Sequence, residues 1–128
     1  MLNFRQSTGT LVHLDPNGSY DYVGTGYSGY GTGLNNPALQ DLQSQQHGDP
    51  AGPLPQGIYS IGPPHYSPNT GPGTMNLTPQ FPTNRTLLRI HGDNKAANHT
   101  ASTGCIVTDA NNRNQVANSN DTCLQVLP

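Results

Sequence analysis

Apolar residues fall along this chain in short runs cut by Gly, Pro, Asn and Asp, and most runs alternate with the period of a strand rather than of a helix. Thr10–Leu14 is β-rich, Asp15-Pro16-Asn17-Gly18 supplies a turn, and Ser19–Val23 continues as a second strand, with Tyr20 and Tyr22 alternating against Ser19, Asp21 and Val23. Leu54–Ile61 reads as a turn leading into a strand. Thr86–His91 is the clearest strand, with Leu88 and Ile90 on one face and Leu87, Arg89 and His91 on the other. Cys105–Thr108 and Thr122–Leu127 follow, the last closing the sheet. Two short helices are expected. One spans Asn36–Gln43, with Asn36 as cap and Pro37 in first position; the other spans Ala110–Ala117, with Asp109 as cap. Gly24–Gly33 reads as a Gly-Tyr loop, and Pro63–Pro82 as a long polar excursion holding Met75–Leu77 as a short strand. The pattern predicts a single mostly β domain over residues 1–128, with long Gly/Pro-rich loops.

Composition narrows this picture. Only 31% of the 128 residues are hydrophobic, there is no Trp, and 15 glycines and 12 prolines interrupt the chain, so the core is small. Charged residues make up 9% and the net charge is −2, which argues against a nucleic-acid surface or a polybasic membrane anchor. No apolar stretch approaches the ~20 residues of a membrane span. Met1–Arg5 lacks the apolar core of an export signal, so any work outside the cell is expected to depend on another delivery route.

The chemistry concentrates in Arg89-Ile90-His91-Gly92-Asp93-Asn94 and Ala101-Ser102-Thr103-Gly104-Cys105-Ile106-Val107. A thiol with an imidazole in reach suffices for acyl transfer through a thioester. Cys105 reads either as that nucleophile or as a buried structural thiol. In the first case Gly104 permits a turn whose amides face an oxyanion, and His91 is the base. Pairing would favour a thiolate–imidazolium couple, with the ring oriented by a carbonyl near Gly92 or by Asp93. A Cys105–Cys123 disulfide would consume the nucleophile. His91, His99 and Cys105 could together ligate zinc, but their spacing matches no standard zinc signature. His13, His47 and His65 read as surface residues, and the seven aspartates show no pairing suited to glycoside hydrolysis. No metal and no cofactor is called for.

These motifs, His91-Gly92 and Ser102-Thr103-Gly104-Cys105 in order and spacing, resemble the L,D-transpeptidase catalytic domain family. Pro53-Leu54-Pro55-Gln56-Gly57-Ile58-Tyr59 resembles that family's Pro-x-Gly-x-Tyr/Phe element. Gly31-x-Gly33, Asn35-Asn36-Pro37 and Ile90-His91-Gly92-Asp93-Asn94 narrow the likeness to its small branch of antibacterial type VI secretion effectors. The resemblance implies a β-sandwich with one or two short helices. It implies a cysteine L,D-carboxypeptidase or L,D-transpeptidase acting on peptidoglycan stem tetrapeptides. Cys105 would be the nucleophile, His91 the base, and Gly92, Ser102 and Gly104 the remaining catalytic positions. Delivery without a signal peptide to a target cell's periplasm, an immunity protein and secretion-machinery partners follow from the same likeness. Two departures stand out. Thr103 replaces a His of the wider family, with His99 as a substitute, and Val107 stands near a family Arg suited to a substrate carboxylate. Arg89, Lys95 and Arg113 remain as candidates for that carboxylate. A non-catalytic cell-wall-binding or phage/secretion structural module is the alternative.

Overall fold

The computed structural model describes residues 1–43, 49–93, 102 and 104–128. Among the described residues, nine strands form one mostly antiparallel sheet: β1 Leu2–Arg5, β2 Thr10–Leu14, β3 Tyr20–Ser28, β4 Gly57–Ile61, β5 His65–Ser67, β6 Gly71–Pro79, β7 Arg89–His91, β8 Ile106–Thr108 and β9 Cys123–Leu127. Their order is β4-β9-β1-β2-β3-β8-β7-β6-β5, and β4 also pairs with β6. That pairing closes the sheet into a ring. The mostly β expectation is therefore met, with the two faces of the expected sandwich joined by continuous strand pairing.

Alternation drives the burial. Leu2 and Phe4 of β1 and Leu124 and Val126 of β9 point inward, where Leu11, Leu54, Tyr59, Met75, Ile90 and Ile106 complete the core. One helix, α1 Ala110–Asn118, packs its Val116 onto this core and is capped as predicted, the Asn112 amide donating to Asp109 Oδ1 at 2.8 Å.

Several expectations change. Strand β1 was not foreseen, and it pairs in parallel with β9. The expected helix over 36–43 is only a 3-10 turn, Pro37–Leu39, although Asn36 caps it as expected. The first half of the Gly-Tyr loop is strand, since β3 runs to Ser28 and pairs with β8. Its glycines serve close packing, since a Cβ on Gly26 would come within 2.5 Å of the Val107 carbonyl oxygen. The polar excursion is also structured. β5 continues β4 past Gly62–Pro64 along the same edge of β6, as the pairs Ile61↔Leu77 and His65↔Thr74 show. Tyr20 and Tyr22 are exposed, while Val23 packs against the core.

Candidate active site

The site forms where β7 and β8 lie parallel, with Ile90 beside Ile106 and His91 beside Val107. One step back in that register sets Arg89 beside Cys105. Side chains two apart on a strand share a face, so Arg89 and His91 both look toward the face that carries Cys105. His91 is then the diagonal neighbour of Cys105, a relation that spans ~7–8 Å between Cα atoms in sheets.

His91 is buried. Its Nδ1 lies 2.8 Å from the Gly92 carbonyl oxygen. A carbonyl only accepts, so the neutral ring carries its proton on Nδ1 and leaves Nε2 as the basic nitrogen. Of the two orienting groups considered above, the Gly92 carbonyl is the one that holds the ring. Asp93 instead accepts from the Tyr27 hydroxyl at 2.7 Å. Burial pushes the His91 pKa below its ordinary value. The Gly92 carbonyl opposes this, and the charges of Arg89 and Arg113 add to it, with Asp93 acting the other way.

Cys105 is buried at the mouth of β8, and both it and Cys123 are free thiols, so the disulfide is not formed. Its Sγ donates to the Leu87 carbonyl at 3.3 Å, not to His91. Leu87 reaches that position in the left-handed region, at φ 55°, with its side chain 77% exposed. Burial raises the thiol pKa, and Arg89, through backbone and guanidinium, and Arg85, through its charge, counter it. Burial thus works against the thiolate–imidazolium couple at both partners.

The turn before Cys105 is built by Ser102, which is 0% exposed. Its Oγ donates to the Cys105 carbonyl at 2.7 Å and accepts from the amides of Gly29, at 2.9 Å, and Gly104, at 3.2 Å. Ser102 is thus buried and holds the turn from within, and the Gly104 amide is directed at its Oγ. Gly104 itself sits at φ 133°, a conformation that favours glycine.

Arg113, on the first turns of α1, lies against Gly92, where a Cβ would come within 2.8 Å of its Nη1. Gly92 is therefore the space the guanidinium occupies beside His91. Arg113 Nη1 donates to the Thr108 carbonyl, whereas its Nε and the Nε of Arg89 are buried without a hydrogen-bond partner. Val107 is buried and uncharged; among the described residues, Arg89 of β7, Arg113 of α1 and Arg85 bring positive charge to the site. His99 and Thr103 lie outside the described residues, as do Lys95 and His47. A groove of about 560 Å³ lined by Tyr27, Asp93, Val107 and Asp109, among others, runs alongside. Arg85, not foreseen as part of the site, is buried behind the Cys105 turn. Its neighbours Asn84 and Thr86 are polar, and nothing in that stretch signals burial.

Residues 23–126 match the model of the Tlde1 domain. No curated protein sequence matches the chain. Among solved structures, the chain is similar to the helical cell shape determining protein Pgp2 from Campylobacter jejuni, with a TM-score of 0.61 and 14% identity over 98% of this chain and 46% of that one. It is also similar to Bd1075 from Bdellovibrio bacteriovorus, with a TM-score of 0.56 and 13% identity over 99% of this chain and 46% of that one. The chain thus spans less than half the length of either protein, and the likeness is one of fold.

Proposed function

The chain belongs to the Tlde1 domain family, and from that premise we propose that it is a peptidoglycan-acting cysteine L,D-carboxypeptidase/L,D-transpeptidase that works as an antibacterial type VI secretion effector. The fold shared with a cell shape determining protein supports an activity on the cell wall. The observation that carries the enzymatic reading is the buried His91, its Nδ1 fixed by the Gly92 carbonyl beside the strand that begins at Cys105.

In this reading a stem tetrapeptide lies along the groove by Tyr27 and Asp93. The thiol of Cys105 turns from the Leu87 carbonyl toward His91, and Nε2 takes its proton as Sγ attacks the carbonyl of the diamino acid at stem position three. The C–N bond to the terminal D-residue breaks, and His91 returns the proton to the leaving amine. The thioester then passes to water, giving a tripeptide, or to the amine of a D-amino acid, giving exchange. Arg89, beside Cys105, opposes the developing negative charge. Arg113, whose guanidinium lies beside Gly92, supplies positive charge for a carboxylate of the stem peptide. Burial that works against the couple at rest suits this sequence, because in it the ion pair forms only as the bond is made.

The direct test is incubation of the protein with purified tetrapeptide muropeptides, followed by mass spectrometry. Loss of terminal D-Ala, or its replacement by an added D-amino acid, is expected. Intact tetrapeptide under both conditions would sink the enzymatic reading and leave a cell-wall-binding module. The effector reading has its own test: export of the protein to the periplasm of a susceptible bacterium should arrest growth, and cytoplasmic expression should not.

A further inference from the structure

Arg85 has no place in the reaction just described, yet it is one of the most constrained side chains in the molecule. It is 7% exposed. Nη1 donates to the Gln40 carbonyl at 2.6 Å and to the Pro53 carbonyl at 3.4 Å, and Nη2 to the Gly52 carbonyl at 3.2 Å. At these three bonds carbonyl oxygens accept from the fork, and the guanidinium carries its positive charge inside the fold. The guanidinium also fills the space that any side chain at residue 104 would need: a Cβ there would collide with Nη2. The glycine before the nucleophile is thus required twice, by its backbone angle and by Arg85.

We infer that Arg85 is a positioning residue for the nucleophile: it locks the Gly104–Cys105 turn to the Gly52–Pro53 segment and lays a buried positive charge against it. Ser102 sets the turn from the β3 side, through the Gly29 amide, and Arg85 sets it from the side of residues 40 and 52–53. The two together leave the turn little freedom to recoil when Sγ attacks. The charge acts on the same atom. Cys105 is faced by Arg89 from β7, by the Leu87 carbonyl and by Arg85, and the two guanidinium groups favour its thiolate. Arg85 in turn senses Tyr59, Cys105 and Asp41. The inference rests on Cys105 being the nucleophile, but its test does not require the substrate to be known.

The experiment is alkylation of Cys105 by iodoacetamide as a function of pH, with Cys105 and Cys123 separated by peptide mass mapping. In Arg85→Met the pH midpoint should rise by about one unit. Below it the rate should fall about threefold: one unit cuts the thiolate tenfold, and the more basic thiolate recovers about a factor of three in nucleophilicity. Arg85→Lys keeps a charge but not the fork. It should restore the midpoint while kcat on tetrapeptide falls with KM unchanged. Gly104→Ala, which pushes a methyl into the guanidinium, should behave like Arg85→Met. A folded Arg85→Met with the wild-type alkylation profile and only a lower Tm would overturn the inference, leaving Arg85 a structural residue. If Arg85→Met does not fold, a Gly104→Ala profile matching wild type overturns it equally. If tetrapeptide is never processed while the alkylation shift appears, the substrate assignment fails and this inference stands.

Discussion

At the scale of single residues, the proposed reaction depends on two side chains. Cys105→Ala and His91→Ala should each abolish tetrapeptide processing while circular dichroism stays unchanged, because neither removes a group that holds strands together. The pH profile follows from the direction of the His91 shift. Its pKa lies below the ordinary histidine value, so the free base persists into mild acid, and the acid limb of kcat/KM should fall below about pH 6.5. An acid limb above that value would show that protonation of His91 is favoured in the working enzyme. Ser102→Ala belongs to stability. It removes an acceptor from two buried amides and a donor from the Cys105 carbonyl, and should cost about 1–3 kcal/mol in urea unfolding. His91 and Cys105 stand out in the sequence as candidates because their motifs are short and local. The roles of Ser102 and Arg85 do not, because each is defined by burial against segments remote in the chain, Gly29 for one and Gln40 with Gly52 for the other.

At the scale of elements, the glycines of β3 decide the geometry of the site. β8 can approach β3 closely only because Gly26 has no side chain, and β8 carries Cys105 at its mouth. Gly26→Ala would drive a methyl onto the Val107 carbonyl and should destabilise the protein by about 1–3 kcal/mol, read as a lower Tm. Substrate processing should weaken with it at temperatures well below the transition, because β8 moves. The same glycines explain why this strand was read as a loop: Gly is depleted from strands, and its use for close backbone approach shows only once the neighbour is known. The hairpin of β4, β5 and β6 was misread for a related reason. Pro63 and Pro64 break its first arm, and its second arm buries only Thr74, Met75 and Leu77.

At the scale of the whole molecule, the ring joins segments from both ends of the sequence, β1 lying between β2 and β9. Packing of this kind is shared by every strand, so urea unfolding followed by far-UV circular dichroism and by tyrosine fluorescence should give coincident single transitions. Two separated transitions would show that the arc from β1 to β3 holds without the rest. Ring closure was only partly legible. The final strand was expected to close the sheet, but β1 offered too few residues to announce itself and the β4–β6 pairing joins runs divided by the polar excursion. Closure also governs how this protein meets other chains. Where its strands pair on both sides, a ring offers no row of unpaired amides for a foreign strand to extend. Among the described strands, the free edges are the first part of β3, Tyr20–Thr25, which pairs with β2 alone, and those of the projecting hairpin, β5 and the start of β6. In that hairpin β5 is three residues long, and Pro72 removes an N–H from its partner. In a chain this poor in charge, at 9%, the hairpin edge is thus blunted by the short β5 and by Pro72 rather than by repulsion.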